Sequence, residues 1–125
     1  MKRRDFLGAA VGISLIPTKL IGQAAPRVVI VGGGFAGASC ARALKKAEPR
    51  IAVTLVESSA AFTACPFSNA VIAGLRDLKA QQFTYENVVA AGIALARTTA
   101  TAVDPQKRMV TLADGSRVRD RKSVV

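Results

Sequence analysis

Three glycines at positions 32, 34 and 37 have the spacing G-x-G-x-x-G, which is the pattern of a loop that binds a pyrophosphate. Gly32 permits a tight turn, Gly34 leaves room for a pyrophosphate beside the backbone, and Gly37 lets a helix pack closely on the preceding strand. Phe35 and Ala36 lie at the start of the predicted helix, where free N–H groups attract phosphate. We therefore expect these five residues to bind a cofactor. The alternative is an ordinary glycine-rich turn.

An acidic residue, Glu57, lies twenty residues beyond Gly37, at the end of the apolar run 51–56. A carboxylate at this place accepts hydrogen bonds from both hydroxyls of a ribose, and it repels a 2′-phosphate. The spacing therefore predicts a dinucleotide site and argues against NADP. A solvated carboxylate at a strand end is the alternative interpretation.

The chain has two cysteines, and their positions predict different roles. Cys65 lies in the loop after the second predicted strand, at the carboxyl edge of the sheet, where a cofactor would bind. A thiol there can reach the cofactor region, although a small buried apolar side chain is the usual role of a free cysteine. Cys40 falls inside the first predicted helix, near Ala36 and Leu44, and we expect it in the core.

These residues have to be positioned by alternating strands and helices. The continuous, β-branched run 27–31 predicts a strand covered on both faces, and the run 51–57 predicts a second strand. A helix is predicted between them over 35–46, with Ala38, Ala41 and Leu44 on its apolar side. Further along, we expect helical segments at 70–75 and 85–91, a strand at 93–97, and a hairpin formed by 99–103 and 109–112. The fold class is α/β, a Rossmann-like βαβ unit with a following β-hairpin region.

Composition excludes several classes of function. The chain has 125 residues, a formal net charge of +10 and no histidine. Without histidine it has no His general base, no His metal ligand and no Ser-His-Asp triad, and two cysteines alone argue against a structural zinc site. The basic residues are scattered and no aromatic residues lie among them, so the charge does not predict nucleic-acid binding. We expect no metal site.

The N-terminal segment has the layout of an export signal. Arg3 and Arg4 precede Asp-Phe-Leu, which resembles the twin-arginine pattern Arg-Arg-x-Phe-Leu, and an apolar run of nine residues, 8–16, follows. That run is shorter than the roughly 20 residues that span a bilayer, so we expect no stable membrane anchor. We predict a signal peptide over 1–24, cleaved near Ala24, and a periplasmic protein over 25–125. A Sec signal or an uncleaved amphipathic start are the alternatives.

The export route also bears on the cofactor. Twin-arginine signals export proteins that are already folded, often with a cofactor loaded beforehand, and the glycine loop stands at the start of the predicted mature chain. Both features favour FAD over NAD.

Three stretches resemble one family: the glycine loop 32–37, the strand 53–57 and the segment 62–74, which includes Cys65-Pro-Phe-Ser-Asn. They are similar to the flavoprotein subunit of flavocytochrome c sulfide dehydrogenase. The resemblance implies FAD, a small inorganic sulfur substrate, and electron transfer from sulfide through FAD to a c-type cytochrome subunit. It also implies that Cys65 is the catalytic residue, and that it pairs, beside the flavin, with a second cysteine from a C-terminal half.

By the same resemblance, residues 25–125 are the N-terminal part of an FAD/NAD(P)-binding domain. We expect a fragment that is incomplete as a domain, inactive alone, and left with one uncovered edge and one uncovered face of its sheet. The alternatives are a non-catalytic dinucleotide-binding module that assembles with a separately encoded remainder, and an exported α/β domain whose glycine loop is only structural.

Overall fold

The computed structural model describes residues 25–120, so the predicted signal peptide over 1–24 lies outside the described residues. Eight strands, three α-helices and one 3-10 helix follow one another along this part of the chain. In chain order they are β1 (Arg27–Val31), α1 (Phe35–Ala47), β2 (Ala52–Val56), β3 (Ala61–Thr63), α2 (Ser68–Ile72), the 3-10 helix Leu78–Gln81, β4 (Gln82–Thr84), α3 (Glu86–Ala90), β5 (Ala94–Ala96), β6 (Ala100–Asp104), β7 (Met109–Leu112) and β8 (Arg117–Arg119).

The predicted βαβ unit is present. Strands β1 and β2 pair in parallel along their whole length, from Arg27 opposite Ala52 to Val31 opposite Val56. β5 pairs in parallel with the other side of β2, which gives the strand order β1-β2-β5. A parallel pair needs a crossover, and α1 supplies it. Within residues 25–120, β1 lies at a sheet edge, as expected.

One face of this sheet packs against the helices. Ala41 of α1 is fully buried, and Ala38 and Leu44 pack beside it, so the predicted apolar side of α1 is confirmed. Small side chains on this side let the helix lie close to the strands. The other members of this core come from the strands, from α3 and from their flanking residues: Val53, Leu55, Tyr85, Val88 and Ile93.

The other face is covered, which corrects the expectation of an uncovered face. β6, β7 and β8 form an antiparallel sheet in that order, and the pairing of β6 with β7 confirms the predicted hairpin. Its buried residues Val110 and Leu112 pack with Val56 of β2, and Val29 of β1 packs against the same cluster. Half-buried and buried residues alternate along β7, so that the face carrying Val110 and Leu112 is directed to the parallel sheet.

A two-stranded ribbon that the sequence analysis did not predict lies between β2 and α3. β3 and β4 pair antiparallel, with Phe62 opposite Phe83.

Helix α2 begins at Ser68 and ends at Ile72, whereas the segment predicted from the sequence was 70–75. The helix therefore starts two residues earlier and stops three residues earlier than predicted. No helix within residues 25–120 has the length and apolar character needed to cross a bilayer.

Candidate dinucleotide-binding site

The glycine loop joins the carboxyl end of β1 to the first turn of α1. Gly32 has φ +95°, a conformation that side chains rarely adopt, and its N–H donates to the Val56 carbonyl oxygen over 2.8 Å. Gly37 lies against the same turn, because a β-carbon there would overlap the Gly32 carbonyl oxygen. The fold itself therefore requires glycine at both positions, and it does so for the two structural reasons predicted from the sequence.

Gly34 differs from these two glycines. Its φ of −67° and ψ of −168° are open to any residue, and a β-carbon on it would make only ordinary contact with the Phe62 ring, at 3.5 Å. As the N-cap of the 13-residue α1 it offers no capping side chain, and the first turn contains no acidic residue. The helix start is thus open to an anion, which its N–H groups and dipole favour.

Gly33 is a site residue that the motif did not single out. Its N–H donates to Glu57 Oε2 over 2.7 Å, and the residue itself is buried. Atoms Cε1 and Oη of Tyr85 lie 2.6 Å from the place that a β-carbon on Gly33 would occupy. The third consecutive glycine was the available signal in the sequence, whereas nothing marked Tyr85.

Glu57 stands one residue beyond β2 and faces the loop. Its Oε1 accepts from the Ser59 N–H over 2.8 Å, and its Oε2 accepts from Gly33. Hydrogen bonds from the backbone N–H groups of Ser59 and Gly33 lower the pKa of this carboxyl below its ordinary value. A carboxylate has about four lone-pair sites, so these two bonds leave capacity for ribose hydroxyls.

Cys65 lies two residues beyond β3 and is exposed. Its carbonyl oxygen accepts from the Ser68 N–H over 3.0 Å. The ribbon approaches the glycine loop through Phe62, whose ring meets the Phe35 ring edge-on with centroids 4.9 Å apart. Cys65 thus follows a strand that contacts the start of α1, and its catalytic role stays a prediction.

A cleft of about 280 Å³ adjoins this loop, between Ala64, Pro66 and the 3-10 helix. Gln81 lines it, is only 2% exposed, and neither its side-chain oxygen nor its nitrogen has a hydrogen-bond partner. Phe67 also lines it and adopts φ +67°, which is uncommon for a bulky residue. The Arg76 guanidinium stands 5.4 Å from the centre of its ring.

Cys40 is exposed, so its assignment to the core is wrong. It is next to the fully buried Ala41, but one residue turns a helix by about 100°, which carries its side chain out of the narrow buried stripe. Both cysteines are free thiols.

The sequence profile of the pyridine nucleotide-disulphide oxidoreductases matches residues 26–125. The chain belongs to this family. It is also 67% identical, over 45 residues, to the sulfide dehydrogenase [flavocytochrome c] flavoprotein chain of Chlorobaculum thiosulfatiphilum, an alignment that covers 36% of this chain and 94% of the relative. The predicted resemblance is thereby confirmed. FAD, the predicted cofactor, is confirmed as the cofactor of this group of flavoproteins.

Solved structures share the fold. The sulfide:quinone oxidoreductase of Aquifex aeolicus superposes with a TM-score of 0.72 at 24% identity, over 77% of this chain and 23% of that one. Putidaredoxin reductase, in its covalent complex with putidaredoxin, gives a TM-score of 0.65 at 28% identity, over 78% and 24%. The chain thus spans about a quarter of the solved relatives, and the predicted α/β, Rossmann-like class is confirmed.

Proposed function

We propose that this chain binds FAD at the loop between β1 and α1, as the N-terminal part of a periplasmic flavoprotein that oxidises a small inorganic sulfur compound and passes electrons to a c-type cytochrome. Binding at the loop is supported above all by Gly34, since neither backbone conformation nor packing requires a glycine there. The sulfur chemistry and the cytochrome partner are supported by the 67% identity to a sulfide dehydrogenase flavoprotein chain.

Each site residue has its own role in binding FAD. Gly32 and Gly37 hold the turn in which Gly34 admits the pyrophosphate, and the N–H groups of Phe35 and Ala36 donate to it. The free lone pairs of Glu57 accept from the two ribose hydroxyls. Bound FAD supplies the electron acceptor, while the protein binds and orients it.

Gly34→Ala tests the binding site. The change keeps the backbone within allowed space, so we expect the free energy of unfolding to stay within about 1 kcal/mol of wild type. The added methyl group occupies the path of the pyrophosphate, so we expect FAD affinity to fall at least tenfold, about 1.4 kcal/mol.

Titration of each protein with FAD, followed by flavin fluorescence, measures the affinity, and urea unfolding measures the stability. Ala43→Ser, a small change on the exposed part of α1, is the control and should leave both quantities unchanged. If Gly34→Ala binds FAD as wild type does, the assignment of the pyrophosphate to this loop is wrong.

We assign the sulfur step to Cys65, paired with a second cysteine from the rest of a full-length protein. A hydrosulfide ion that attacks such a disulfide bonds to one sulfur and displaces the other as a thiolate, so the protein retains a persulfide. An exposed thiol fits this exchange because rates depend on access.

A labelling experiment tests the role of Cys65. The Cys40→Ser protein is loaded with FAD, treated with polysulfide, denatured in acid and digested. We expect the Cys65 peptide to gain a sulfur atom and the flavin to remain in the supernatant. Flavin that instead stays joined to the Cys65 peptide after denaturation would mean that this thiol bonds to the cofactor, and the assignment to the sulfur step would fail.

A second candidate function is a dinucleotide-binding module that assembles with a separately encoded polypeptide. It is favoured by large apolar side chains that are half to almost fully exposed on α2, the 3-10 helix, β4 and the turns between them. These are Phe67, Ile72, Leu75, Leu78 and Phe83. Co-purification with the C-terminal part of a sulfide dehydrogenase flavoprotein chain tests it, and Leu75→Ser should weaken the complex without changing FAD affinity.

A further inference from the structure

Tyr85 packs beneath the glycine loop although it lies far from it in the sequence. It directly precedes α3, is 5% exposed, and belongs to the core formed by Ala41, Leu55 and Val88. Three of its outer atoms, Cε1, Oη and Cζ, lie 2.6, 2.6 and 2.8 Å from the place of a β-carbon on Gly33. Real β-carbons are not found that close to other atoms, so the ring fills the space in which a side chain at position 33 would stand.

Gly33 connects this ring to the ribose-binding acid. Gly33 does not have the positive φ that distinguishes Gly32, so its backbone conformation does not require a glycine. Its N–H, however, holds Glu57 Oε2 over 2.7 Å. Any displacement of Gly33 therefore moves a hydrogen-bond donor of the carboxylate. Burial first, and the nearby Glu57 charge second, raise the pKa of Tyr85, which keeps the phenol neutral near the carboxylate.

We propose that Tyr85 is a positioning residue for the adenosine end of the dinucleotide. Its ring fixes the depth of Gly33, Gly33 fixes Oε2 of Glu57, and the carboxylate then presents its remaining lone pairs to the ribose hydroxyls. This inference rests on the proposed function, because it concerns how the same site holds FAD.

Three variants separate positioning from general support of the core. Tyr85→Leu removes the ring edge from beneath Gly33, and we expect affinities for both FAD and ADP to fall about tenfold. Tyr85→Phe retains Cε1 and Cζ and should bind both as wild type does. Val88→Ala is the matched control, since Val88 is equally buried in the same core, at 6% exposed, but none of its atoms is among the three nearest to the place of a β-carbon on Gly33. It should leave both affinities within twofold.

A reciprocal pair tests the contact itself. Gly33→Ala places a methyl group against the ring and should weaken ADP binding, whereas the double variant Gly33→Ala/Tyr85→Leu should recover part of it because the space is then free. Hydrogen exchange gives a second measurement. Glu57 protects the Gly33 amide, so its hydrogen-exchange rate should rise in Tyr85→Leu and stay as in wild type in Val88→Ala.

The outcomes are distinct. If the wild-type chain binds neither FAD nor ADP, the proposed function fails. If it binds them and folded Tyr85→Leu binds equally well, only the positioning role fails. If Tyr85→Phe loses as much affinity as Tyr85→Leu, the hydroxyl group and not the ring is responsible, and the proposal is overturned.

Discussion

Replacing Gly37 with alanine sets two effects of opposite sign against each other. Gly37 is the third residue of α1, and a change from glycine to alanine in an exposed helix stabilises by about 1 kcal/mol. A β-carbon here would, however, overlap the carbonyl oxygen of Gly32 and stand 3.0 Å from its carbonyl carbon. The sign of the measured change therefore tells which effect dominates.

The magnitude depends on what can move. The obstructing atoms belong to the backbone, so no rotamer change relieves the overlap, and the Gly32 N–H is held by Val56 over 2.8 Å. Relief requires α1 to move away from β1, which withdraws Ala41 from the core. Overpacking destabilises by about 1–3 kcal/mol, and we take the upper end because only backbone can yield. Subtracting the helix gain of about 1 kcal/mol leaves a net loss of about 2 kcal/mol.

Urea unfolding of the flavin-free proteins, followed by far-ultraviolet circular dichroism, measures this loss. In a thermal scan it corresponds to a Tm lowered by about 8–16 °C for a domain of this size. Gly34→Ala is the matched control, since the same chemical change there meets only the Phe62 ring at 3.5 Å. A Gly37→Ala protein as stable as wild type would show that the overlap is relieved cheaply and would refute the reasoning.

Three further predictions concern other residues. Because hydrogen bonds lower the pKa of Glu57 below 4.5, its ionised form stabilises the fold above that pH. We therefore expect the difference in unfolding free energy between wild type and Glu57→Gln, measured by urea unfolding at several pH values, to shrink as pH falls below about 4.5. Because Cys40 is exposed, it should react with a thiol reagent in the native protein as fast as in an unfolded peptide, and slow labelling would show that its side chain is buried. Cys40→Ser should change the free energy of unfolding by less than about 0.5 kcal/mol. The Lys45 ammonium donates to the carbonyl oxygens of Pro49 and Ile51, over 2.8 and 2.9 Å. Lys45→Met keeps the side-chain stem but should lower the free energy of unfolding by about 1–2 kcal/mol, and an unchanged urea midpoint would contradict this.

The βαβ unit was predictable because its determinants are local. A β-branched run, a glycine turn, a helix with one apolar side and a second apolar run follow one another within thirty-one residues, and each is sufficient to indicate its element. The position of Glu57 beside the loop followed from the spacing, since the parallel register of β1 and β2 brings the end of β2 there, whereas its contact with a ribose stays a prediction.

What the sequence did not predict depends on contacts between distant segments. β3 and β4 have three residues each, too few for a period of two to be detected, and they are strands because Phe62 pairs with Phe83. The packing of β7 on Val56 joins segments more than fifty residues apart. Cys40 was misplaced because its position on the helix near Ala36 and Leu44 suggested burial, whereas the buried stripe on α1 is too narrow to include it.

The loop separates what the protein needs for its own fold from what a ligand needs. Gly32 is explained by its positive φ, Gly33 by the Tyr85 ring and Gly37 by the backbone beneath it. None of these reasons applies to Gly34, because any residue can adopt its backbone conformation and a methyl group there would make only ordinary contact with its surroundings. A glycine there, at the uncapped start of a helix, leaves room for a ligand to come closer than a methyl group allows, as the proposed binding of FAD requires. Loss of FAD binding in Gly34→Ala is therefore decisive, because that protein should still fold, whereas in Gly37→Ala the same loss follows from the damaged fold.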